Sequence, residues 1–351
     1  MAQRRPTIND VAAAAVVSKV TVSRVLSGQT KHVREETRNR VRQVASELGY
    51  EPSIAAAALR TNRSYTVTLI IPDITNPIWP AVARGVQHVA RGAGYSVVLA
   101  NADWDEGAER EYVAMARRAS MDGILLNAAR FTNDELRKVG IPTVVLGSHS
   151  DFPDFDQVGI DTERGSADAV RYLAGLGHRR IAMITPLALN SGQKRHRGFL
   201  AGLTASGLTE RPDYLIDAPY TREGGDRATR TLLSLPEPPT AIFASNDQLA
   251  IGALTAARAA GVRVPEGLSI VGLDDIDAAS VTSPPLTTIR RPQYEYGETA
   301  MRFLLERMTG VGPSVPRRHL YPCELVVRGS AAPPPGMCRA DGAQRGGSNA
   351  V

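Results

Sequence analysis

The chain has 351 residues, 43% of them apolar and 22% charged, with a formal net charge of +5. This length exceeds one ordinary domain, and the apolar fraction is sufficient for a sizeable buried core. No apolar run approaches the roughly 20 residues that a membrane helix requires, and the start MAQRRP lacks the apolar core of a signal peptide. We therefore predict a globular, cytoplasmic protein that has no membrane partner.

The excess positive charge is concentrated near the N-terminus. Residues 1–64 contain eleven Lys or Arg and five Asp or Glu, whereas the rest of the chain has a net charge of −1. A basic surface neutralises phosphates and releases their counterions, so this segment is predicted to bind nucleic acid. Four of its basic residues fit a solvated helix face as well as phosphate contacts, and both interpretations stay open for Arg34, Arg38, Arg40 and Arg42.

Residues 7–26 have the pattern of two short helices that meet at an angle. Their sequence is TINDVAAAAVVSKVTVSRVL, in which Ala, Val and Ile recur at helical spacing on both sides of a break at residues 16–18. Ser18 is the predicted N-cap of the second helix. The first turns of that helix then carry short or basic side chains, namely Lys19, Val20, Thr21 and Arg24. This composition fits the DNA major groove and predicts a helix-turn-helix.

Two further helical segments follow. Residues 33–48 have an amphipathic pattern, which Gly49 ends. Pro52 followed by Ser53 is a helix-start signal in front of the alanine-rich segment IAAAALR. A helix this short is marginal on its own.

From Tyr65 onwards, short β-branched runs alternate with segments of helical length. The runs are typical of buried parallel strands and are TVTLIIP (66–72), YSVVLAN (95–101), DGILLN (122–127), IPTVVLG (141–147), RRIAMIT (179–185), DYLIDAP (213–219), TAIFAS (240–245) and LSIVGLDD (268–275). Eight such units exceed one sheet, so we predict an α/β core of two doubly wound parallel-sheet lobes, with ligands bound beyond the carboxyl ends of the strands. Residues 331–351 are rich in Pro, Gly and Ala, and they are predicted to form a disordered tail.

Residues 7–26 resemble the headpiece of the LacI/GalR family of bacterial repressors, which has the motif T-[IL]-x-D-V-A-x-x-A-G-V-S-x-x-T-V-S-R-V-L. The resemblance covers roughly residues 5–330. It implies a small all-α helix-turn-helix headpiece in residues 1–52, a hinge helix and linker in 53–62, and a two-lobed, periplasmic-binding-protein-like core for effector binding and dimerisation in 63–330.

The same resemblance implies a function. We expect a repressor that binds a palindromic operator in double-stranded DNA as a homodimer or as a tetramer. A small-molecule effector, expected here to be a sugar, controls the operator affinity. The resemblance leaves open whether the effector releases the DNA or promotes its binding.

One position departs from the family motif, because Val16 stands where the family has glycine. This position commonly has a positive φ, which glycine tolerates and a β-branched residue resists. Either Val16 is strained in a left-handed conformation, or the turn has relaxed to negative φ. We predict strain, because the flanking residues 12–25 otherwise support an ordinary headpiece.

The resemblance assigns DNA contacts to residues of the headpiece and the hinge. These residues are Thr7, Ser18, Lys19, Val20, Thr21, Arg24, His32, Thr37 and Leu59. Leu59 matches the residue that the family inserts into the minor groove, where an apolar wedge kinks the duplex. The alternative is a plain linker whose leucine packs on the core.

The resemblance also assigns effector contacts to residues at the strand ends of the core. These residues are Trp79, Ser191, Arg195, Tyr220, Asn246 and Asp274. Trp79 ends a loop that resembles the family's P-D-x-x-N-P motif. It would stack on the apolar face of a sugar, and it also fits a core position. Arg195 lies in RHRGF, which resembles the family's R-x-x-G-[FW] motif, and it offers several donors in a rigid fork.

The pairs Asn246-Asp247 and Asp274-Asp275 resemble the N-D and D-[DN] pairs of the family. The first member of each pair is predicted to hydrogen-bond to ligand hydroxyls. The second members, Asp247 and Asp275, are predicted helix N-caps.

Several neighbouring residues leave alternatives open. Tyr220 fits a packed position as well as a ligand contact. Lys194, His196 and Arg197 point about 100° or more away from Arg195 around the same helix, so they are predicted to be solvated. Weaker candidates for the ligand site are Asp103, Trp104 and Asp161.

The sequence carries no pattern of catalytic chemistry. It lacks G-x-S-x-G, G-x-x-x-x-G-K-[ST], H-E-x-x-H and a G-x-G-x-x-G after a strand. Cys323 and Cys338 have no metal-ligand spacing, so we predict no catalytic residue, cofactor, metal or disulfide. A cytoplasmic sugar-binding protein or an α/β enzyme would leave residues 1–60 unexplained, and an architectural DNA binder would not need a cleft.

Overall fold

The computed structural model describes residues 6–28, 31–51, 63–127, 131–147 and 151–335. The chain forms two compact units, Met1–Tyr65 and Thr66–Val351. The predicted hinge, with Leu59, and most of the predicted tail, with Cys338, lie outside the described residues. Among the described helices, none has both the length and the apolar character needed to cross a membrane.

The described part of the first unit contains three helices, α1 (Ile8–Ala14), α2 (Lys19–Leu26) and α3 (Glu35–Leu48). Their apolar faces meet in one small core that includes Val11, Ala15, Val22, Val25 and Val41. Ser18 caps α2, because its Oγ accepts a hydrogen bond from the Thr21 N–H at 3.1 Å. The predicted helix-turn-helix is confirmed, and the third helix ends at Gly49 as predicted.

Helix α1 ends in a left-handed turn at Val16. The Val17 N–H donates to the Ala12 carbonyl at 3.0 Å, and the Val16 N–H donates to the Ala13 carbonyl at 3.2 Å. This is the hydrogen-bond pattern of a Schellman motif. Val16 has a φ of 52°, so the predicted left-handed conformation is confirmed. Its side chain is 82% exposed, so packing offers little compensation for the strain.

The second unit contains two α/β lobes. The first lobe begins with β1 (Thr66–Ile71), α4 (Ile78–Gly92), β2 (Ser96–Asn101), α5 (Glu106–Arg118), β3 (Gly123–Leu126), α6 (Asn133–Val139), β4 (Thr143–Leu146) and β5 (Asp156–Ile160). The second lobe follows with α7 (Thr162–Gly175), β6 (Ile181–Thr185), α8 (Asn190–Ala205), a 3₁₀ turn (Pro212–Tyr214), β7 (Leu215–Asp217), α9 (Arg222–Leu233), β8 (Ala241–Ala244), α10 (Asp247–Ala259), β9 (Ser269–Asp274), α11 (Asp277–Val281) and β10 (Thr287–Arg290).

The chain then passes between the lobes twice more. Helix α12 (Gln293–Thr309) packs against α4 of the first lobe, and β11 (Arg318–Tyr321) joins the first sheet. Strand β12 (Glu324–Val326) returns to the second sheet. Within the described residues, the lobes are therefore joined at three places, after β5, after β10 and after β11.

Both sheets have a doubly wound order. The first sheet has the order β11-β5-β4-β3-β1-β2 and the second has the order β12-β10-β9-β8-β6-β7. Neighbouring described strands are parallel, apart from the antiparallel pair β10 and β12. The predicted architecture is confirmed, and it places the residues that follow the strands at one edge of each sheet.

The eight predicted strands are all present, whereas β5, β10, β11 and β12 are not predicted. Strand β5 begins at Asp156, a charge that is unusual in a buried strand. Burial opposes its ionisation, but hydrogen bonds from Arg307 and Arg317 outweigh burial and lower the pKa of Asp156 to about 2. These partners lie 151 and 161 residues further along the chain, where no local pattern reveals them.

The first residues of the predicted tail belong to the second lobe. The Ala332 N–H donates to the Ser269 Oγ at 3.0 Å, and its carbonyl lies 2.9 Å from Nε2 of the buried His178. The prediction of a tail that starts at residue 331 is therefore wrong. Residues 336–351 lie outside the described part of the chain.

We expect Val16→Gly to stabilise the headpiece. The strained conformation of a β-branched residue costs about 1–3 kcal/mol, whereas the added freedom of glycine in the unfolded chain costs only about 0.4–1 kcal/mol. The melting temperature of a fragment of residues 1–62, followed by circular dichroism, should therefore rise. The half-site that the fragment prefers should stay the same.

Gly49 offers a matched control, because it ends α3 at a φ of 64° with the same kind of turn. Gly49→Val should lower the melting temperature of the fragment. A lower melting temperature for Val16→Gly, or a changed half-site, would show instead that the turn is built around valine.

Candidate functional site

A cavity of about 150 Å³ lies between the two lobes. Its lining residues follow the carboxyl ends of strands in both sheets, where the fold predicts a ligand site. The first lobe contributes Asn76, Trp79, Trp104, Asn127 and Tyr296 among others. The second lobe contributes Ser191, Lys194, Arg195 and Tyr220, and the crossing after β10 contributes Arg291.

The first-lobe side of the cavity is aromatic. Trp79 lines the cavity and is also part of the apolar core, so it has both predicted environments at once. Trp104 has a φ of 61° and the preceding Asp103 a φ of 48°. Non-glycine residues rarely adopt this conformation, and such strain is concentrated at ligand sites. The indoles offer flat surfaces on which a ring can stack.

Arg195 is the central polar residue on the second-lobe side of the cavity. It is only 5% exposed. Its Nη1 donates to the Ser245 carbonyl at 2.5 Å, and its guanidinium lies 5.0 Å from the centre of the Tyr220 ring. The Tyr220 hydroxyl in turn donates to the Ser191 Oγ at 3.3 Å. The structure thus brings four of the six predicted effector residues, Trp79 included, to one cavity.

Asp274 lies behind this side of the cavity and is not part of its lining. Its Oδ1 accepts a hydrogen bond from Arg291 Nη1 at 2.7 Å and lies 3.8 Å from Arg195 Nη2. The direct bond from Asp274 to the ligand therefore stays a prediction. Asp274 acts on the cavity by positioning the two arginines.

Asn246 also lies outside the lining, because it caps α10. Its Oδ1 accepts a hydrogen bond from the Leu249 N–H at 2.8 Å, and the residue is fully buried. The predicted division of roles between Asn246 and Asp247 is therefore wrong, since the asparagine is the helix cap. The physical reason is that α10 begins at Asp247, one residue earlier than a cap at Asp247 would require.

Asp247 holds the loop that follows β9. Its Oδ2 accepts from the Ile276 N–H at 2.9 Å, and its Oδ1 accepts from the Thr288 hydroxyl at 2.5 Å. Burial raises the pKa of Asp247 to about 7, and the nearby charge of Asp274 adds to the shift. The carboxyl therefore fixes the segment that carries Asp274.

Two further aspartates have structural roles, namely Asp275, a predicted helix cap, and Asp161, a weaker candidate for the ligand site. Asp275 caps no described helix and pairs instead with Arg290 at 2.7 Å and with Arg328 at 2.6 Å, so its prediction is wrong. Asp161 is the N-cap of α7, with its Oδ1 accepting from the Arg164 N–H at 3.0 Å. Neither aspartate lines the cavity.

Lys194 corrects the prediction of a solvated side chain, because it is half-buried and lines the cavity. Burial lowers its pKa, and the charge of Arg197 lowers it further. His196 lies 2.6 Å from Glu210, and the exposed Arg197 pairs with Glu163 at 3.1 Å. Only Arg197 is exposed as predicted, since His196 is half-buried beside Glu210. Neither of these two residues lines the cavity, whereas the long stem of Lys194 reaches it.

Sequence reasoning also missed Asn76, Asn127, Arg291 and Tyr296 in the lining. Asn76 and Asn127 lie at the carboxyl ends of predicted strands, and this position alone could have identified them as candidates for the ligand site. Arg291 and Tyr296 follow β10, which is not predicted, so nothing local marks them.

The predicted DNA contacts of the headpiece lie mostly on one surface. Ser18, Lys19, Val20 and Arg24 are exposed on α2, and Val20 is 59% exposed although it is apolar. Thr21 is half-buried. An exposed methyl-bearing side chain among polar ones suits the thymine methyl group in the major groove.

The other predicted contacts lie away from α2. Thr7 caps α1, with its N–H and its hydroxyl both 2.7 Å from the Asp10 carboxylate. His32 is exposed in front of α3, and Thr37 is half-buried in its first turn. Leu59 lies outside the described residues.

Comparisons with known proteins agree with this organisation. Residues 7–53 match the model of bacterial regulatory proteins of the lacI family, and residues 170–331 match a periplasmic binding protein-like domain. The HTH-type transcriptional repressor CytR of Escherichia coli (strain K12) is 37% identical over 328 residues, which are 92% of this chain and 96% of that protein.

Solved structures show the same likeness over nearly the whole chain. The Lac repressor dimer bound to operator and the anti-inducer ONPF has a TM-score of 0.84 and 28% identity, covering 94% of this chain and 100% of that chain. The complex of the transcriptional regulator CelR with cellobiose has a TM-score of 0.70 and 31% identity, covering 93% of this chain and 100% of that chain.

A helix-turn-helix unit joined to a two-lobed core with a ligand-sized cavity defines a bacterial transcriptional regulator rather than an enzyme. The chain belongs to the lacI family of bacterial regulatory proteins. The resemblance stated from the sequence is therefore confirmed.

The raised pKa of Asp247 predicts a pH dependence of stability. An unfolded aspartate ionises near pH 3.9, about three units below the folded carboxyl. The folded state binds more protons between these values, so stability should fall as the pH rises from about 4 to about 7. Asp247→Asn keeps the acceptor for the Ile276 N–H and should remove this contribution. Urea unfolding midpoints measured at several pH values test this.

Asp277→Asn, an equivalent change at an exposed position of α11, should follow the parent protein at every pH. The assignment fails if the difference in stability between Asp247→Asn and the parent is the same at pH 4 and at pH 8.

Proposed function

We propose that the protein is a cytoplasmic transcriptional repressor that binds a palindromic operator as a homodimer and responds to a small molecule held between its two lobes. The observation that carries this proposal is the pairing, in one chain, of an exposed, basic helix α2 with a cavity lined from both lobes. Its relative CytR is a transcriptional repressor, and the similar Lac repressor structure is a dimer bound to operator.

The DNA-binding part of the proposal is supported by the surface of α2. The helix buries Val22 and Val25 and leaves Lys19, Val20 and Arg24 exposed. Symmetric half-sites require two headpieces related by a two-fold axis, so a dimer is the smallest assembly that fits a palindrome. The role of residues 53–62 as a hinge, and of Leu59 as a wedge, stays a proposal, as does a further association to a tetramer.

The regulatory part is supported by the position of the cavity. A ligand there contacts both lobes and the crossing at Arg291, so it favours one lobe arrangement over another. That difference in affinity is the free energy by which an effector changes operator binding. A cavity of about 150 Å³ fits a molecule with a single ring, and we propose a compound of the sugar class. The similar regulator CelR was solved with cellobiose.

The experiment that tests this function is a mobility-shift titration of the purified chain on an operator selected from a random DNA pool. At least one small sugar-like compound should change operator affinity by about fivefold or more. Binding without sequence preference, or an operator affinity that no such compound changes, contradicts the proposal.

We expect Lys19→Ala and Arg24→Ala each to relax the operator preference at one base pair. A side chain that reads a base edge in the major groove contributes about 1–3 kcal/mol of discrimination. Mobility shifts on operators with single base-pair changes, at constant salt, measure this loss.

Arg42→Ala removes the same charge from an exposed position of α3 and serves as the control. A phosphate contact at Arg42 should weaken binding to all sequences alike. If Lys19→Ala and Arg24→Ala also lose affinity uniformly, α2 does not read the bases.

We expect Arg195→Ala to lose the effector response. The substitution removes a buried polar group whose contact with a ligand contributes about 1–3 kcal/mol. Calorimetric titration of the compound found in the operator assay measures the change, and the operator complex without effector is the reference for each variant. Unchanged effector affinity in Arg195→Ala would sink this assignment.

A further inference from the structure

We propose that the effector is a ring compound that carries an anionic group, a phosphate or a carboxylate, and that the second-lobe side of the cavity binds this group. The inference rests on the proposed function, because it concerns the ligand of the same cavity. It narrows the predicted sugar to a charged derivative.

The charges around the cavity are unbalanced. Among the described residues that line it, Lys194, Arg195 and Arg291 are basic and none is Asp or Glu. Asp274, behind the lining, pairs with both arginines and offsets one of their two positive charges, while Glu163 and Asp151 act on Lys194 from outside the lining. An excess of positive charge therefore faces the ligand. Excluding water around such an excess is costly unless the ligand supplies negative charge.

Two donors of these cations lack acceptors. The Nε atoms of Arg195 and Arg291 are buried and have no hydrogen-bond partner among the described residues. Arg195 is more than nine-tenths buried and Arg291 nearly so. A buried donor of a charged group is costly to leave unsatisfied. Oxygens of an anion suit it best, because hydrogen bonds between charged partners are the stronger ones.

The N-terminus of α8 points to the same class of ligand. The helix begins at Asn190 without a side-chain cap, and Leu189, Asn190 and Ser191 line the cavity. The first N–H groups of a helix have no partner within it, and the positive end of its dipole favours an anion. Side chains cap the other long helices of this lobe, α7, α9 and α10, through Asp161, Thr221 and Asn246.

Lys194 completes the cationic side. It lies in the first turns of α8, one residue before Arg195, and lines the cavity. Burial and then the charge of Arg197 lower its pKa, and the charges of Glu163 and Asp151 oppose this shift. An anion beside Lys194 would raise its pKa and so oppose the effects of burial and of Arg197. A neutral sugar would bury Lys194 further and lower its pKa more.

The first-lobe side has no comparable charge. Its contributions are the indoles of Trp79 and Trp104 and the amides of Asn76 and Asn127. The ring of the ligand therefore faces the first lobe and the anionic group faces the second. One molecule then contacts both lobes through different chemistry.

Tryptophan fluorescence of the full chain reports binding at this site, because both tryptophans of the sequence line the cavity. The probes are glucose, glucose 6-phosphate and glucuronate, ribose and ribose 5-phosphate, and inorganic phosphate as the bare anion. We expect a phosphorylated or carboxylated probe to bind about tenfold or more tightly than its neutral parent. If the anionic group is a phosphate, inorganic phosphate should compete with the phosphorylated probe. If the group is a carboxylate, glucuronate should bind most tightly of the probes.

Two results overturn the proposal. The first is a neutral parent that binds as tightly as its charged derivatives. The second is a panel in which no anionic probe, inorganic phosphate included, changes the fluorescence.

Variants of the cationic side sharpen the test. Lys194→Gln and Arg291→Gln should each weaken the anionic probe by about tenfold and leave the neutral parent little changed. Arg227→Gln removes the same charge from an exposed position of α9 outside the lining and should bind as the parent does. Arg291→Gln also removes a partner of Asp274, so Lys194→Gln decides the matter if that variant fails to fold. Equal losses for charged and neutral probes contradict the proposal.

The operator assay distinguishes a failure of the anionic-site proposal from a failure of the proposed function. An anionic probe that binds tightly but leaves operator affinity unchanged supports the anionic site and contradicts its regulatory role. A neutral sugar that binds more tightly than its charged derivatives and changes operator affinity supports the regulatory function and overturns the anionic assignment.

Discussion

The buried carboxylate of Asp274 is the interaction on which the geometry of the cavity depends. It ends β9 of the second lobe, holds Arg291 of the crossing at 2.7 Å and lies 3.8 Å from Arg195 of α8. Its backbone carbonyl accepts a hydrogen bond from Gln293 at the start of α12, which packs on the first lobe. A carboxylate that is 1% exposed is tolerated as an ion only with such partners. The lobes are therefore coupled directly behind the cavity.

Strained loops border the cavity from both lobes. Asp274 and Asp275 have positive φ, and so do Asp103 and Trp104 across from them. Strain of this kind persists only where surrounding contacts hold the backbone. Asp275 is held by two arginines, and Asp247 holds the next residues through the Ile276 N–H. Because surrounding contacts hold these loops, a ligand of the proposed kind would lose little binding energy in ordering them.

The limits of sequence reasoning follow from which interactions are local. Helical spacing, N-caps and β-branched runs are local, so α2, its Ser18 cap and eight strands are predictable. The choice between Asn246 and Asp247 as helix cap is not, because Thr288, 41 residues away, holds the aspartate in the interior. Arg291 follows β10, a strand of four residues that is not predicted. Matching the sequence to the family motifs identifies Arg195 and Tyr220 as site residues. It does not reveal the net charge of the cavity lining.

The net charge of the core segment does not predict the charge of the cavity either. The core as a whole is slightly acidic, yet its cavity is lined by cations. The chain thus has two candidate surfaces for anions, and they differ in physics. Lys19 and Arg24 are exposed on the headpiece, where salt screens charges over about 8 Å at physiological ionic strength. Arg195 and Arg291 are buried, and their attraction for an anion depends on the exclusion of water rather than on the surrounding salt. We therefore expect a change in ionic strength to act strongly on operator binding and weakly on the binding of the proposed anionic effector.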